Sequence, residues 1–433
     1  MKAVKEMMKM LSTSYSTFHV VENIKGKLLE KGFIQLHENE HYDLESGKDY
    51  FVTRNDTSVI AFRIPSHLKD LHMQITATHN DSPTFKLKPN PVKKSFNLML
   101  LNVEPYGGGI YNTWLDKPLS IAGRVYVKED GKITSNLLNI NEDLLVIPNV
   151  CIHMNRTINS GYNYNPAVDM LPVMGEWEEN FDFHKYLLKK LGKKKGDIYS
   201  FDLFLYNREK PTLIGRNKEL LSSGREDDLT ATYSTLLGFL DSQSEDHISV
   251  FASFDNEEVG SLTKQGANST FLKDNLQRIV SALGHEKDDF HSAMAGSFML
   301  SIDNAHANHP NHPELSDKTT LVQLNKGIVI KYNANQSYTS DALSSSVVKD
   351  LCHEAGINYQ EYTNRSDLRG GSTLGNLSEA EVSITTVDIG IAQLAMHSSY
   401  ETLGVKDIED MVLLTKNFFS RNILMDGSDI SID

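Results

Sequence analysis

Apolar positions along the chain switch between two periods. Over residues 19–30 they recur at Val20, Ile24 and Leu28, the spacing of a helix, and run out at Gly32, a natural helix end. Residues 1–10 interleave Lys and Glu with Val4, Met7 and Met8; this predicts an amphipathic helix and not a secretory signal, because no apolar h-region follows. Met73, Ile75 and Ala77 alternate with polar residues, the period of a strand, which ends just before Thr78-His79-Asn80-Asp81. His79 is thereby expected at a strand's carboxyl end. From residue 84 to 216, short β-rich pieces alternate with turn signals such as Pro89-Asn90-Pro91, Gly107-Gly108-Gly109 and Asp130-Gly131. Beyond them Leu229, Tyr233, Leu236, Leu237 and Leu240 share one helical face, and an apolar strand follows at Ile248–Phe254. Further strands are expected at 297–302, 327–331 and 381–387, and a last helix carries Ile408, Met411, Val412, Phe418 and Phe419 as its apolar stripe.

The pattern predicts an α/β protein in which a central mixed sheet, flanked by helices, is interrupted by a β-rich domain. The expected division is 1–84 and 217–433 for the α/β part and 85–216 for the β-rich insertion. In such sheets ligands bind at the carboxyl ends of strands. With 433 residues, 39% hydrophobic and 23% charged, the chain can build a substantial core in more than one domain. A formal net charge of -14 argues against nucleic acid or an anionic membrane as the main partner. Cys151 and Cys352 are the only cysteines, too few for a disulfide framework or a thiolate zinc module, and a reducing cytoplasm is the simplest compartment. No apolar run approaches the roughly 20 residues of a membrane helix.

Acidic and imidazole groups cluster at the predicted strand ends and helix starts: His79, Asp227-Asp228, Glu257-Glu258 and Asp303, with His397 following the strand near Val387. Such oxygen and nitrogen donors suit zinc, manganese or cobalt in a hydrolytic site. Adjacent carboxylates such as Glu257 and Glu258 repel each other unless a cation lies beside them; one can bind metal while the other takes a proton from the attacking water. A solvated acidic loop is the plain alternative, and an acidic helix cap is the alternative for Asp227-Asp228. Three other strings resemble sites less closely. His37-Glu38-Asn39-Glu40-His41 fits HExxH, but its flanks predict an extended segment. His306, His309 and His312 are interrupted by Pro310 and Pro313, which suit a loop behind Asp303. Gly107-Gly108-Gly109 lacks the Lys-Ser/Thr of a phosphate loop.

Four strings taken in order, Thr78-His79-Asn80-Asp81-Ser82-Pro83, Asp255-Asn256-Glu257-Glu258-Val259-Gly260-Ser261, Asp303-Asn304-Ala305-His306-Ala307 and Ala395-Met396-His397-Ser398, resemble the aspartyl aminopeptidase family, which includes vacuolar aminopeptidase I and bacterial members. The resemblance implies a metal-dependent aminopeptidase acting on small peptides with a free N-terminus, its β-rich insertion a dimerisation domain and its dimers assembled into a dodecamer. Carried over, it implies two divalent ions, zinc first and manganese or cobalt as alternatives. His79 and Asp303 would hold one ion, Glu258 and His397 the other, and Asp227 would bridge them. Glu257 would be the general base, Asp81 would orient His79, and His153 would reach a neighbouring subunit's site.

Two departures bear on these roles. The bridging aspartate of the family usually follows Arg-Leu, whereas here it follows Arg225-Glu226, so Asp227 and Asp228 compete for the role. The stretch Asn333-Ala334-Asn335-Gln336-Ser337-Tyr338 resembles the substrate-pocket loop but lacks a lysine, and Arg369 could supply the positive charge instead. Residue preference is therefore open between acidic and neutral. The competing functions are a metal amidohydrolase that removes acyl groups from amino acids and a catalytically silent scaffold of the same fold.

Overall fold

The computed structural model describes residues 2–368 and 370–433. Its centre is a nine-stranded mixed sheet in the order Ile34–Leu36, Asp49–Arg54, Ser58–Arg63, Ile248–Phe254, Met73–His79, Phe298–Ile302, Thr385–Gly390, Ile328–Tyr332 and Tyr359–Thr363. The strands Ile248–Phe254, Met73–His79, Phe298–Ile302 and Thr385–Gly390 run parallel side by side, so their carboxyl ends lie along one edge. Both faces of these strands are covered, as buried parallel strands require. Phe251 packs on one side with Met7, Val20, Leu229, Phe239, Met411 and Phe418. Its neighbours Val250 and Ala252 point to the other side, toward Phe271, Leu276, Phe290 and Val382. The period of two along one strand thus builds two cores.

On the first face, Glu226–Asp241 lies against Val405–Ser420 at Gly238, where a Cβ would meet Thr415 Oγ1 at 2.1 Å and Val412 O at 2.9 Å. Only a residue without a side chain permits that approach. The expected helices are found at Lys2–Leu11 and Thr17–Glu30. The strand expected to stop before Thr78 continues through His79, because His79 still pairs with Phe254. The strand expected at 381–387 starts only at Thr385: Leu374–Val382 is a helix burying Leu374, Ser378 and Val382, and Ser383 at φ 55° breaks it from the strand. Residues 37–41 are not helical, so their two histidines share no helix face. No helix among the described residues is long and apolar enough to cross a membrane.

Between Met73–His79 and the helix Glu226–Asp241, the chain forms a six-stranded antiparallel sheet from strands spanning 84 to 207, in the order Lys132–Asn139, Leu119–Glu129, Asp197–Asn207, Thr84–Ser95, Leu98–Tyr106 and Val173–Glu176. It encloses a core of its own, including Phe85, Leu101, Trp114, Ile121, Val125 and Leu203. A five-stranded sheet of Thr212–Ile214, Leu220–Ser223, Glu401–Gly404, Ala392–Leu394 and Ala305–His306 closes the carboxyl edge of the central sheet.

His247, just before Ile248–Phe254 and so at the opposite, amino-terminal edge, is fully buried between the hydroxyls of Ser244 and Ser249. Burial, aided by nearby His72, lowers its pKa from the ordinary 6.5 to about 3. The unfolded chain takes up this proton below 6.5 and the folded chain does not, so stability is lost as pH falls from 6.5 toward 3. Near pH 5 the loss is ~2 kcal/mol. His247→Gln should flatten that part of the stability curve, as denaturant unfolding at a series of pH values would reveal; an unchanged slope would remove His247 as its source.

Candidate metal centre

Strand ends deliver the donors. His79 is the last residue of its strand and is 1% exposed, while Asp303 directly follows Phe298–Ile302. Glu257 and Glu258 open a single 3-10 turn after Ile248–Phe254, entered through Asn256 at φ 63°. Asp227 and Asp228 lie in a non-helical first turn of Glu226–Asp241 and are joined by a cis peptide bond. His397, at φ 67°, sits between Ala392–Leu394 and Glu401–Gly404.

Asp227 lies between the two histidines. Its Oδ1 is 3.4 Å from His79 Nε2, and its Oδ2 is 3.4 Å from His397 Nε2. Asp303 Oδ1 lies 3.7 Å from His79 Nε2, and Glu258 Oε2 lies 3.5 Å from His397 Nε2. Two triads, His79-Asp227-Asp303 and Asp227-Glu258-His397, each bring one donor atom per residue within 4.8 Å of the others; His79-Glu257-Glu258 forms a third. Asp228 is oriented differently from Asp227: its Oδ2 accepts the His79 backbone N–H at 3.3 Å.

Electrostatics show what this cluster needs. Burial alone would lower the pKa of His397, but Asp227 and Glu258 raise it to about 10. Burial works against a charge on His79 in the same way, and hydrogen bonding to Asp227, Asp303 and Asp81 outweighs it. Glu258 and Asp228 are driven well above the carboxylate range, chiefly by burial and then by neighbouring carboxylates. Glu257, mainly through burial, is raised to about 7. Glu258 Oε1 and Asp228 Oδ1 are buried without a hydrogen-bond partner among the described residues. Crowded carboxylates with unused lone pairs, facing imidazole nitrogens and no thiolate, fit hard or borderline divalent cations.

Two groups that hold this arrangement, Glu401 and Lys331, carry no local sequence signal. Glu401, 1% exposed, accepts the backbone N–H of Glu226 at 2.7 Å, of Asp227 at 3.2 Å and of His397 at 2.8 Å, tying two triad members together. Lys331, 2% exposed, donates to the carbonyl of Asp303 at 2.8 Å and lies 5.2 Å from the Tyr338 ring. Asp81 accepts the backbone N–H of Glu257 at 3.1 Å and of Glu258 at 3.2 Å, and lies 3.3 Å from His79 Nδ1. His153 is exposed on a turn and joins none of the triads; Arg369 lies outside the described residues. His309 and His312 face each other at 5.2 Å on an exposed loop and join none of the triads.

Comparison with known proteins follows the same lines. The model of a family described as aminopeptidase I zinc metalloprotease (M18) matches residues 10–419. A probable M18 family aminopeptidase 2 of Clostridium novyi is 44% identical over 427 residues, covering 97% of this chain and 99% of its own. Aspartyl aminopeptidase 1 of Schizosaccharomyces pombe is 37% identical over 439 residues, covering 94% and 93%. Among solved structures, Ape4 in its complex with Nbr1 superposes with a TM-score of 0.93 at 36% identity, covering 96% of this chain and 85% of that one. The Saccharomyces cerevisiae mApe1 dodecamer gives a TM-score of 0.84 at 26% identity, covering 96% of each chain. The chain belongs to the aminopeptidase I zinc metalloprotease (M18) family and is a metallo-aminopeptidase.

Glu401→Gln would turn one of its two acceptor oxygens into a donor facing a backbone N–H. A buried pair of facing donors costs roughly 1–3 kcal/mol. Thermal melting should register that loss, and an unchanged Tm would show that the three amides find other acceptors.

Proposed function

We propose that the site holds two divalent ions, zinc first and manganese or cobalt as alternatives, with His79 and Asp303 on one, Glu258 and His397 on the other, and Asp227 reaching both. The observation that carries this reading is that the two triads share Asp227, one oxygen facing each histidine. Ions bound there would lower the pKa of water and polarise the scissile carbonyl. Glu257 is the general base: it takes a proton from the attacking water at a carboxylate oxygen and returns it to the nitrogen of the leaving peptide. Asp81, through its hold on the Glu257 and Glu258 amides, keeps base and ligand in register.

The substrate is a small peptide with a free N-terminus, and the preferred first residue is Asp or Glu. Relatives named aspartyl aminopeptidase support this preference, and Arg369 is a candidate cation for it. The active assembly is a dodecamer built from dimers, which form through the β-rich insertion, with His153 reaching a neighbouring subunit's site. A dodecameric relative and the exposed Ile152 and Met154 beside His153 support this reading. Two free cysteines suit a cytoplasmic setting.

Metal-stripped protein, assayed before and after zinc, manganese or cobalt on peptides beginning with Asp, Glu, Leu or Lys, should release the acidic residues fastest and only when reloaded. Equal rates for all four would remove the acidic preference, and release from acetylated substrates alone would favour the amidohydrolase. Glu257→Gln should keep its metal and lose roughly 10²–10⁴-fold in kcat. His397→Ala should lose bound metal by elemental analysis; full occupancy would remove it from the ligand set.

A further inference from the structure

The three glycines after Tyr106 do not hold a phosphate, yet they run directly over the candidate metal centre. Tyr106 ends the strand Leu98–Tyr106 of the inserted sheet, and its hydroxyl donates to Asp81 Oδ2 at 2.7 Å. The same hydroxyl accepts from Asn256 Nδ2 at 2.8 Å. Burial, then the nearby Asp81 and Asp255, raise the Tyr106 pKa, which keeps the hydroxyl a donor. At Gly107, φ is 73°, and a Cβ would meet Glu258 Cβ at 3.1 Å. The carbonyl of Gly108 accepts from His397 Nδ1 at 3.1 Å, which leaves Nε2 to face Asp227 and Glu258. A hydrogen bond on one imidazole nitrogen selects the tautomer and orientation presented by the other.

We propose that Tyr106, Gly107 and Gly108 form a positioning strap by which the inserted sheet sets the geometry of the metal centre in its own chain. Three contacts reach three separate parts of the site. Tyr106 acts through Asp81, whose two carboxylate oxygens accept the amides of Glu257 and Glu258, one of them lying 3.3 Å from His79 Nδ1, which also hydrogen-bonds the Asp81 carbonyl at 3.2 Å. Gly107 sets how closely the backbone lies on Glu258, and Gly108 aims His397. The inserted sheet is therefore part of each subunit's own site, separately from any role in joining subunits. Displacing this segment would loosen both ends of the metal centre together.

This inference rests on the ligand reading proposed above, and the experiment separates the two. Zinc affinity is measured by chelator competition on full-length wild type, Tyr106→Phe, Gly107→Ala and Gly109→Ala, with kcat, KM, Tm and solution mass alongside. At Gly109 a Cβ would meet nothing closer than Pro83 Cβ at 3.7 Å, so this variant is the matched control. Tyr106→Phe and Gly107→Ala should each weaken zinc binding roughly 10–100-fold. Their kcat should fall and recover as free zinc is raised, with KM within about twofold of wild type, and Gly109→Ala should match wild type. Wild-type affinity in both Tyr106→Phe and Gly107→Ala would overturn the strap, as would losses that follow Tm or mass and resist added zinc. Wild type that binds no zinc, manganese or cobalt would overturn the ligand reading beneath it.

Discussion

Carboxylate repulsion is the constraint around which this chain is organised. Asp227, Glu257, Glu258 and Asp303 converge on two imidazoles at the carboxyl edge of four parallel strands, with Asp228 adjoining them, and most of these acids are withdrawn from water. Removing such groups from solvent costs several kcal/mol each unless positive charge compensates. The raised pKa values of Glu258 and Asp228, together with the raised His79 and His397, measure the same demand from both sides. Divalent cations meet it more fully than protons can, because protonation removes the charges that would hold the ions.

A cluster under that strain keeps its shape only if the backbone beneath it is tied down. Glu401 gathers three amides from two separate loops, and Asp81 gathers two amides and an imidazole from two strand ends. Each spends a buried acceptor on backbone donors that tight turns leave unpaired, so the cost of burying the acid is offset by hydrogen bonds. The sheet contributes the rest. Adjacent parallel strands fix the spacing of His79, Asp303 and the Glu257-Glu258 turn before any side chain is considered.

Legibility in the sequence followed the range of each signal. His79, the Glu257-Glu258 pair and Asp303 could be read because each lies at or just past the end of an apolar strand, and the strand pattern is local. The spacing of turns from residue 84 onward marked a β-rich stretch, and strands spanning 84 to 207 form the six-stranded sheet. Asp227 and Asp228 could not be told apart, since that depends on which carboxylate turns toward histidines far away in the chain. Glu401, Tyr106 and Lys331 gave no signal at all. Tyr106 acts on Asp81, 25 residues away, and Lys331 acts on Asp303, 28 residues away. Glu401 resembles any acidic residue at a strand start, and the helix before Thr385 was hidden because Glu381 and Val382 continue the apolar-polar rhythm of the strand.

The insertion point now has a physical reason. The chain leaves the central sheet just after His79, builds the six-stranded sheet as far as Asn207, and reaches Asp227 through two strands of the five-stranded sheet, so the insertion is bracketed by two candidate donors. An insertion elsewhere along the sheet could add surface without touching the donors. At this position its first hairpin brings Tyr106 back beside Asp81, because Thr84 and Tyr106 pair directly across the two strands. That single register places the three glycines over Glu258 and His397. A one-residue slip would turn Tyr106 to the opposite face of its sheet, since side chains alternate along a strand. The geometry of the candidate metal centre would then be encoded partly in the strand pairing of a sheet that supplies none of the candidate metal donors.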